Sequence, residues 1–373
     1  MRAPARPTVA GLAVLAVLFT GCAGAPRGGR ERRPPDGLEL LGAAAIPSGT
    51  EVDGAVVGGL SGIAFAGDGR YLVVSDDKGS FGPPRVFNIT AEIGPDGFGA
   101  GGPAVEGFTV LRQEDGRPLP LGSLDMEGIA LARDGTFYVA SEGNVAAGAS
   151  PWIAHFQGDG TRLSTLPLPP KLLSVGDPPR GVRQNLALES LTLTSDGRHL
   201  FTATENALAQ DGPEAAAGRP SPARILRYDL LAGRVDREFI YLVDAAPPAA
   251  TPGGFHTAGL SDLAVLDDGR LLALERAFAA GRGFRVRLYL VDLTTAEDVS
   301  RLPDLHEQPE VRPAEKHLLL DLGTLGVRLD NLEGLALGAT LPDGRPTLLL
   351  VSDDNFRADE QTNQFLVLAL PRL

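Results

Sequence analysis

Acidic side chains recur at two fixed places in a stretch of sequence that appears five times. The first place holds glutamate in three copies and serine in two: Glu127, Glu189, Glu333, Ser61 and Ser261. The second place, further along each copy, holds an acid every time: Asp76, Glu142, Glu205, Glu275 and Asp353. Carboxylates that converge cannot all be ionised without a counter-charge, so cations or arginines must neutralise them or their pKa values must rise.

A site with this many carboxylate oxygens suits a calcium or magnesium ion better than a zinc ion. The chain has five histidines and no His-x-x-His spacing, so zinc has little support. We predict that Ca²⁺, with Mg²⁺ as the alternative, binds among seven carboxylates: Glu127, Glu189, Glu333, Asp76, Glu142, Glu205 and Asp353. Asp125, Asn185 and Asn331 lie near the three glutamates in sequence and add oxygens. The alternative is that these acids are solvated loop residues, copied by the repeat for structural reasons.

Basic and amide side chains near the same strands are candidates for holding an anionic substrate. They are Arg183, Arg276, Asn185 and Lys78. An arginine beside a carboxylate ring either holds a phosphate or pairs with an acid, and pairing is the commoner case. His256 precedes the first strand of the fourth copy, where it can reach the same face as a general base. The alternative for His256 is a polar surface residue.

Each copy is predicted to form a β-hairpin, in which an apolar strand, an Asp-Gly turn and a second strand lead to the acid. The turns are Asp68-Gly69, Asp134-Gly135, Asp196-Gly197, Asp268-Gly269 and Asp343-Gly344. Asp-Gly between apolar runs is a strong hairpin signal because glycine accepts a positive φ angle. Glu127 lies seven residues before Asp134 and Glu142 eight after it, so both acids return to one end of the hairpin.

Further strand-like runs follow the hairpins, and the copies begin 66, 62, 72 and 72 residues apart. Four-stranded units in series predict the blades of a β-propeller, in which the first strand of each blade lines a central channel. The fifth unit has one run after its hairpin, and the N-terminal run Leu38–Ala45 would complete it. We therefore predict an all-β chain with a single propeller of five four-stranded blades. Six blades and a β-sandwich are the alternatives.

The composition fits many short strands joined by turns and argues against several classes of function. The chain has 373 residues, with Gly 47 and Pro 30 spread along it and a formal net charge of -13. An acidic protein without a basic stripe is not expected to bind nucleic acid. The sequence contains no P-loop, no GxGxxG before a helix and no Gly-x-Ser-x-Gly elbow, so we expect neither nucleotide binding nor that type of serine hydrolase.

The N-terminus is typical of an exported lipoprotein. Two arginines precede the apolar run Val9–Phe19, which is too short for a permanent membrane span. Cys22, the single cysteine, follows small residues as in a bacterial lipobox. We predict a signal peptide at 1–22 with lipidation at Cys22, a flexible tether at 23–37 and the propeller at 38–373. The protein would then be anchored to a membrane of the cell envelope; cleavage that leaves a free cysteine is the alternative.

Several motifs follow one another along the chain in a recognisable order. They are Leu60-Ser61-Gly62-Ile63-Ala64, Asp125-Met126-Glu127-Gly128-Ile129-Ala130, Arg183-Gln184-Asn185 with Glu189, Glu275-Arg276, Asn331-Leu332-Glu333-Gly334-Leu335 and Ser352-Asp353-Asp354-Asn355-Phe356. This order resembles the bacterial family called "esterase-like activity of phytase", the phytase-like domain, over residues 45–370. The third copy departs from the family with Ser190 where glycine is usual. The resemblance implies a propeller that uses Ca²⁺ to bind phosphates and hydrolyses phosphomonoesters.

Three functions remain open on this basis. The first is a phosphoesterase in which Ca²⁺ at the catalytic residues Glu127, Glu189 and Glu333 lowers the pKa of a bound water. Arg183 and Arg276 would then hold anionic oxygens of a small ester. The second is a lactonase or arylesterase with His256 as base, from a looser resemblance to gluconolactonase and paraoxonase propellers. The third is a non-catalytic propeller of the cell envelope that holds a structural ion. For all three functions we expect the protein to be a monomer.

Overall fold

The computed structural model describes residues 37–122, 124–176, 178–307 and 310–371. The predicted signal peptide, the lipidation site Cys22 and all of the predicted tether except Gly37 lie outside these ranges. Strands dominate the described part, and its helices are four short 3-10 turns: Val145–Ala147, Pro170–Leu172, Leu305–Glu307 and Leu322–Thr324. Within these ranges no helix has the length and apolar character that crossing a membrane requires.

Twenty strands form five antiparallel sheets of four, and two short ribbons accompany them. The chain begins with β1 (Glu39–Ile46) and the ribbon β2 (Glu51–Val52) and β3 (Ala55–Val56). Blade 1 has β4 (Leu60–Gly67), β5 (Arg70–Ser75), β6 (Arg85–Thr90) and β9 (Ala104–Val110), with the ribbon β7 (Ile93–Gly94) and β8 (Gly97–Phe98) between the last two. Blade 2 has β10 (Met126–Leu131), β11 (Phe137–Ser141), β12 (Trp152–Phe156) and β13 (Arg162–Leu166).

The remaining blades repeat this order. Blade 3 has β14 (Thr192–Leu193), β15 (His199–Ala203), β16 (Ser221–Asp229) and β17 (Arg234–Val243). Blade 4 has β18 (His256–Val265), β19 (Leu271–Ala279), β20 (Gly283–Asp292) and β21 (Glu315–Asp321). Blade 5 has β22 (Leu332–Thr340), β23 (Pro346–Ser352), β24 (Asn363–Ala369) and the N-terminal β1.

The ring closes through the N-terminal strand, as predicted. β1 runs antiparallel to β24, with Glu39 opposite Ala369 and Ile46 opposite Asn363. Around the channel, the innermost strands contact each other in the order β4, β10, β14, β18, β22 and back to β4. The fold is therefore a five-bladed β-propeller, and the six-bladed and sandwich alternatives are wrong.

The Asp-Gly turns have the geometry that their composition requires. The second residue of each has positive φ: Gly69, Gly135, Gly197, Gly269 and Gly344. In blade 2, the carboxylate of Asp134 also accepts a hydrogen bond from the Thr136 amide at 3.0 Å. Aspartate therefore holds the turn from within, while glycine supplies the left-handed backbone that other residues rarely adopt.

Apolar side chains fill the spaces between neighbouring blades, so the core is a ring of five interfaces. Between blades 1 and 2, Val74 packs with Ile129, Phe137 and Val139. Comparable clusters join blades 2 to 3, 3 to 4, 4 to 5 and 5 to 1. Each Å² of apolar surface buried in this way contributes about 25 cal/mol. This packing fixes the distances between the innermost strands and hence between the side chains at the channel mouth.

The glycine of the Glu-Gly motif lies where innermost strands of neighbouring blades approach each other. A Cβ atom added at Gly128 would lie 2.7 Å from the Leu191 nitrogen and 2.7 Å from the Ser190 carbonyl carbon. A Cβ atom at Gly334 would lie 2.7 Å from the Ser61 carbonyl oxygen. The motif therefore needs glycine for the close approach of two backbones.

Two copies replace this glycine with residues that make hydrogen bonds. The Ser190 hydroxyl accepts from the Ala203 amide at 3.0 Å, within its own blade. The Asp262 carboxylate accepts from the Leu335 amide in blade 5 at 2.8 Å. Burial raises the pKa of Asp262 well above its usual range. At Ser190 the ladder between the two inner strands of blade 3 is interrupted: β14 has two residues, and Leu188 pairs with Thr204 as an isolated bridge.

Substitution Gly128→Ala should lower the free energy of unfolding by about 1–3 kcal/mol, because the new methyl group meets backbone atoms of blade 3 that cannot move cheaply. Denaturant unfolding monitored by circular dichroism measures this change. The control is Gly101→Ala, because a Cβ atom at Gly101 has nothing within 4 Å. The control should be neutral or stabilising by up to about 1 kcal/mol. Equal stability of the two variants would contradict the close approach of the strands.

Candidate functional site

One mouth of the central channel opens into a cavity of about 820 Å³. Among the described residues, nine acids line it: Asp76, Asp125, Glu127, Glu142, Glu189, Glu205, Glu333, Asp353 and Glu360. Five bases line it as well: Lys78, Arg276, Arg282, Arg328 and Arg357. All seven carboxylates that the sequence analysis named as metal ligands are in this set. The acids outnumber the bases, so the cavity favours cations.

A β-bulge turns the first acid of the motif into the mouth. In blade 2 the pairing of β10 with β11 skips one residue, Glu127. The equivalent residues are skipped in three other blades: Ser61, Ser261 and Glu333. Bulges bend a strand and re-aim a side chain. Here the bulge directs Glu127 and Glu333 toward the cavity instead of into the packing between blades.

The second acid follows the second strand, and one backbone hydrogen bond fixes it in four blades. The Glu142 amide donates to the Asp125 carbonyl at 2.8 Å, and Asp125 lies two residues before the first acid. Three other acids make the corresponding bond: Asp76, Glu205 and Asp353. These four carboxylates form the wider ring that the hairpin spacing predicted.

The fifth member of that ring was predicted wrongly. In blade 4, Leu260 pairs with Glu275, so the next residue, Arg276, occupies the place of the ring acids. Glu275 does not line the cavity; its carboxylate accepts from the Tyr241 hydroxyl at 2.8 Å and the Lys316 ammonium at 2.5 Å. The turn already held the signal, because Arg276 lies eight residues after Asp268, the same distance as Glu142 after Asp134.

Arg276 neutralises one side of the mouth. Its guanidinium donates to Glu333 Oε1 at 2.9 Å and to Glu205 Oε1 at 3.4 Å. Burial raises the pKa of both carboxyls, and the positive charge of Arg276 opposes that rise. Asn331 adds a 2.9 Å hydrogen bond from its amide to Glu333. This side of the mouth therefore carries its own counter-charge.

The opposite side holds three acids whose oxygens converge. One oxygen each from Asp76, Asp125 and Glu127 lies within 4.8 Å of the other two. Burial and the neighbouring carboxylates raise the pKa of Asp76 to about 7 and that of Glu127 well above its usual range. Lys78 reaches this cluster from a partly exposed position, with its ammonium 2.7 Å from Asp125.

This cluster fits a hard divalent cation. Asp76 Oδ1 is buried and has no hydrogen-bond partner in the described part of the chain. The donor set consists of oxygens, which suits Ca²⁺ or Mg²⁺ better than softer metals. A bound cation would supply positive charge to Asp76 and Glu127, while Asp125 already pairs with Lys78. We refer to Asp76, Asp125 and Glu127 below as the carboxylate cluster.

A second pair of acids joins blades 2 and 3, because Glu142 follows β11 and Glu189 precedes β14. The Glu142 and Glu189 side chains are hydrogen-bonded to each other, and the Ala187 amide donates to Glu142. Burial, the largest cause, raises the pKa of Glu142 to about 8 and that of Glu189 well above its usual range. The pair therefore retains a proton at neutral pH, which makes it a candidate proton donor.

Of the four remaining residues predicted for the site, two line the cavity and two do not. Asn185 and Lys78 line the cavity, and Asn185 has a left-handed backbone with φ of 53°. Arg183 lies outside the lining and donates to the carbonyl oxygens of Ala207 at 3.2 Å and Gly212 at 2.7 Å. His256 also lies outside it; its neighbours Phe255 and Thr257 line the cavity, since successive side chains of a strand face opposite ways.

Sequence reasoning left three features of the cavity out of the predicted site. Asp125 was noted only as a nearby oxygen; it lies just before β10, and the bulge at Glu127 brings the two carboxylates together. Arg282 and Arg328 are exposed and form no ion pair with a described acid. Their turn and loop positions gave no signal in the sequence. The third feature is an aromatic wall in blade 4, described below.

Comparison with known proteins identifies relatives of this chain. A sequence model of the family described as "Phytase-like: Esterase-like activity of phytase" matches residues 55–356. An uncharacterized secreted protein of Arthroderma benhamiae is 28% identical over 188 residues. That alignment covers 43% of this chain and 35% of the relative, so the chain spans about a third of the relative's length.

Three solved structures resemble the chain weakly, each with a TM-score below 0.5. The first is a bifunctional GH43-CE protein of Bacteroides eggerthii, with 13% identity, a TM-score of 0.44, and coverage of 87% of this chain and 34% of that chain. A hypothetical protein from Leishmania major has 12% identity, a TM-score of 0.41 and coverage of 91% and 92%. The calcium-binding protein regucalcin from Agrobacterium tumefaciens has 13% identity, a TM-score of 0.38 and coverage of 85% and 79%.

Proposed function

Because the chain belongs to the family described as esterase-like activity of phytase, we propose that it hydrolyses phosphate monoesters with the help of a calcium ion. The observation that carries the proposal is the carboxylate cluster in the cavity, whose three oxygens converge within 4.8 Å. A phosphate ester and nine cavity acids repel each other unless a cation lies between them. The carboxylate cluster is where that cation has ligands.

The cation belongs beside Asp76, Asp125 and Glu127 and not on the axis between the three glutamates. Glu333 already pairs with Arg276, and Glu189 shares a hydrogen bond with Glu142, whereas Asp76 has a buried oxygen without a partner. Asp125 pairs with Lys78 and is hydrogen-bonded to Glu127, so the cation would displace the shared proton and take over part of the role of Lys78. When bound there, Ca²⁺ would polarise a phosphate oxygen and lower the pKa of a water molecule. Mg²⁺ is the alternative, because it also prefers oxygen ligands.

Hydrolysis needs one proton to be taken from water and one to be given to the alcohol. A water oxygen forms a bond to phosphorus, the bond from phosphorus to the ester oxygen breaks, and a proton reaches that ester oxygen. The Glu142–Glu189 pair is suited to give this proton, because the pKa of Glu142 is about 8. An ionised carboxylate of the cluster is suited to accept the proton of the attacking water.

Arginines at the rim are suited to hold the remaining phosphate oxygens. Arg282 and Arg328 line the cavity and have no carboxylate partner among the described residues. Arg276 is engaged by Glu333 and Glu205, so its first role is charge balance. Arg183 is engaged by carbonyl oxygens outside the cavity lining, which makes it a weaker candidate for contact with substrate.

Export and lipid anchoring are part of the proposal. The N-terminal residues have the pattern of a lipoprotein signal peptide ending at Cys22. The Arthroderma relative is described as secreted, which agrees with export of this chain. A substrate would then meet the cavity outside the cytoplasm, where millimolar calcium suits a site of modest affinity.

Chelation tests this proposal directly. Protein stripped of metal should hydrolyse p-nitrophenyl phosphate at least about 100-fold more slowly than protein supplied with Ca²⁺, because the cavity repels an anionic ester without the cation. Release of nitrophenolate measures the rate, and δ-valerolactone is assayed in parallel. Calcium-dependent opening of the lactone without phosphatase activity would identify a lactonase instead. No turnover of either compound would leave a propeller whose acids bind a structural ion.

A further inference from the structure

Blade 4 extends above the channel mouth further than its neighbours. The innermost strands of blades 1, 2 and 5 begin at Leu60, Met126 and Leu332, the residues that correspond to Leu260. β18 begins four residues earlier, at His256, and pairs with β19 as far as Ala279. Four residues at about 3.3 Å each add roughly 13 Å to this blade. The extension forms a wall beside the cavity.

The side of this wall that faces the cavity is aromatic. Phe278 and Phe284 are paired across β19 and β20, with ring centroids 5.0 Å apart. Phe255 continues the row, with its ring centroid 6.2 Å from that of Phe278. All three rings belong to the cavity lining, and alternation along the strands turns Ala277 and Ala279 away from it. We refer to Phe255, Phe278 and Phe284 as the aromatic wall.

The aromatic wall is not covered by the rest of the described chain. Phe255 is 67% exposed, and Phe278 and Phe284 are half-buried. Leu186 and Leu329 are the other large apolar residues of the lining, and the rest is mainly polar or charged. An exposed aromatic group of this size in such a cavity is a feature of ligand sites, where a few polar groups orient a molecule and apolar surface binds its body. Packing within the hairpin accounts for the contact between Phe278 and Phe284 but leaves the Phe255 ring open.

The aromatic wall and the carboxylate cluster lie on different blades, which suits a ligand that is anionic at one end and apolar at the other. Arg282 lies in the turn that joins β19 to β20 and lines the cavity beside Phe284. The carboxylate cluster belongs to blades 1 and 2, whereas the wall belongs to blade 4. A ligand that spans the cavity can therefore place an anionic group near the cation and an apolar group on the wall.

We propose that the aromatic wall binds the organic part of the substrate and that this part is an aromatic group. The inference rests on the proposed function, since it concerns the alcohol half of the ester hydrolysed there. An aryl group stacks on phenylalanine rings and gains both apolar burial and ring contact. A polyol bearing several phosphates gains nothing from the wall and meets more of the cavity acids. The wall thus selects aryl monoesters over heavily phosphorylated polyols.

Binding of two phosphonates, which cannot be hydrolysed, tests the inference in the full-length protein with saturating Ca²⁺. Phenylphosphonate should bind at least about tenfold more tightly than methylphosphonate by calorimetry, because only the former has a ring for the wall. In Phe255→Ala and Phe278→Leu the ratio should fall to about threefold or less, with little change for methylphosphonate. Leu231→Ala is the control, since Leu231 is an 84% exposed apolar residue outside the cavity lining.

The outcomes separate this inference from the proposed function. Equal affinity of the two phosphonates, or a phenyl preference that survives both wall variants, overturns the role of the wall while leaving a phosphate site in place. Failure of both phosphonates to bind overturns the proposed function and the inference together. Phe255 is exposed enough for its variant to fold, and thermal unfolding of all variants verifies this. A ratio that collapses in the wall variants and persists in Leu231→Ala supports the inference.

Discussion

Glu127→Gln should reduce the affinity for Ca²⁺ at least about 100-fold and reduce calcium-dependent phosphatase turnover by a similar factor. Glutamine keeps the shape of the side chain but removes the charge that a divalent cation needs. Loss of groups that merely support metal ligands already costs 10- to 100-fold in affinity. Calorimetric titration of metal-stripped protein with Ca²⁺ measures the first effect, and initial rates measure the second.

Glu333→Gln is the matched control for this prediction. Glu333 occupies the same bulge position as Glu127, but Arg276 already pairs with it at 2.9 Å. With the cation at the carboxylate cluster, Glu333→Gln should change the calcium affinity less than about tenfold. Equal losses in the two variants would place the cation between Glu127 and Glu333 instead of at the carboxylate cluster. Full binding by Glu127→Gln would remove the carboxylate cluster as the site.

Calcium affinity should also rise steeply with pH, by at least about tenfold between pH 6 and pH 8. The pKa of Asp76 is raised to about 7 and that of Glu127 is raised well above its usual range, so both carboxyls must lose a proton before they bind a cation. Asp76 alone accounts for about tenfold across this interval, because each proton displaced below its pKa costs a factor of ten per pH unit. Titrations at pH 6, 7 and 8 in buffers of different ionisation enthalpy measure the affinity and the protons released.

The same groups set the stability of the metal-free protein. Asp76, Glu205 and Glu142 have pKa values of about 7, 7 and 8 when folded, above the usual 3.8 and 4.5. Between pH 4 and 8 the folded state therefore binds more protons than the unfolded state, so stability falls as pH rises. Metal-free protein should unfold at a lower denaturant concentration at pH 8 than at pH 5, and Ca²⁺ should restore the stability at pH 8.

The prediction on affinity has its own contrary outcome. A calcium affinity that stays constant from pH 6 to pH 8 would contradict the protonated state of the carboxylate cluster.

The local features of the chain were readable before the structure. Each Asp-Gly turn predicted its hairpin, because the turn depends on the φ angle and side-chain acceptor of two adjacent residues. The period of the repeat predicted five blades, and the unpaired last unit predicted that Leu38–Ala45 would complete it; the strand found there is Glu39–Ile46. Spacing about the turn also predicted that Glu127 and Glu142 would share one mouth.

Spacing in the sequence did not define the strand register to within one residue. Glu275 was assigned to the ring because it is the acid at the end of its strand, whereas the pairing of Leu260 with Glu275 gives the ring position to Arg276. In a strand such a shift reverses the face on which a side chain lies. His256 was likewise expected at the mouth by its position in the chain, and strand alternation turns it away from the cavity lining.

The sequence by itself determined the hairpins and the closing strand, and it favoured five blades with seven acids at one mouth, because these follow from hydrogen bonding and spacing within one repeat. Only the tertiary structure decided which acids are neutralised by Arg276, which retain an oxygen without a partner, and which blade rises into an aromatic wall. The charge balance depends on contacts between blades, such as Arg276 with Glu333, which is 57 residues away in the chain. The wall depends on how far the pairing of β18 with β19 extends beyond Leu260. Electrostatic energies and pKa values vary with such distances and with burial, neither of which is encoded in the spacing of one repeat.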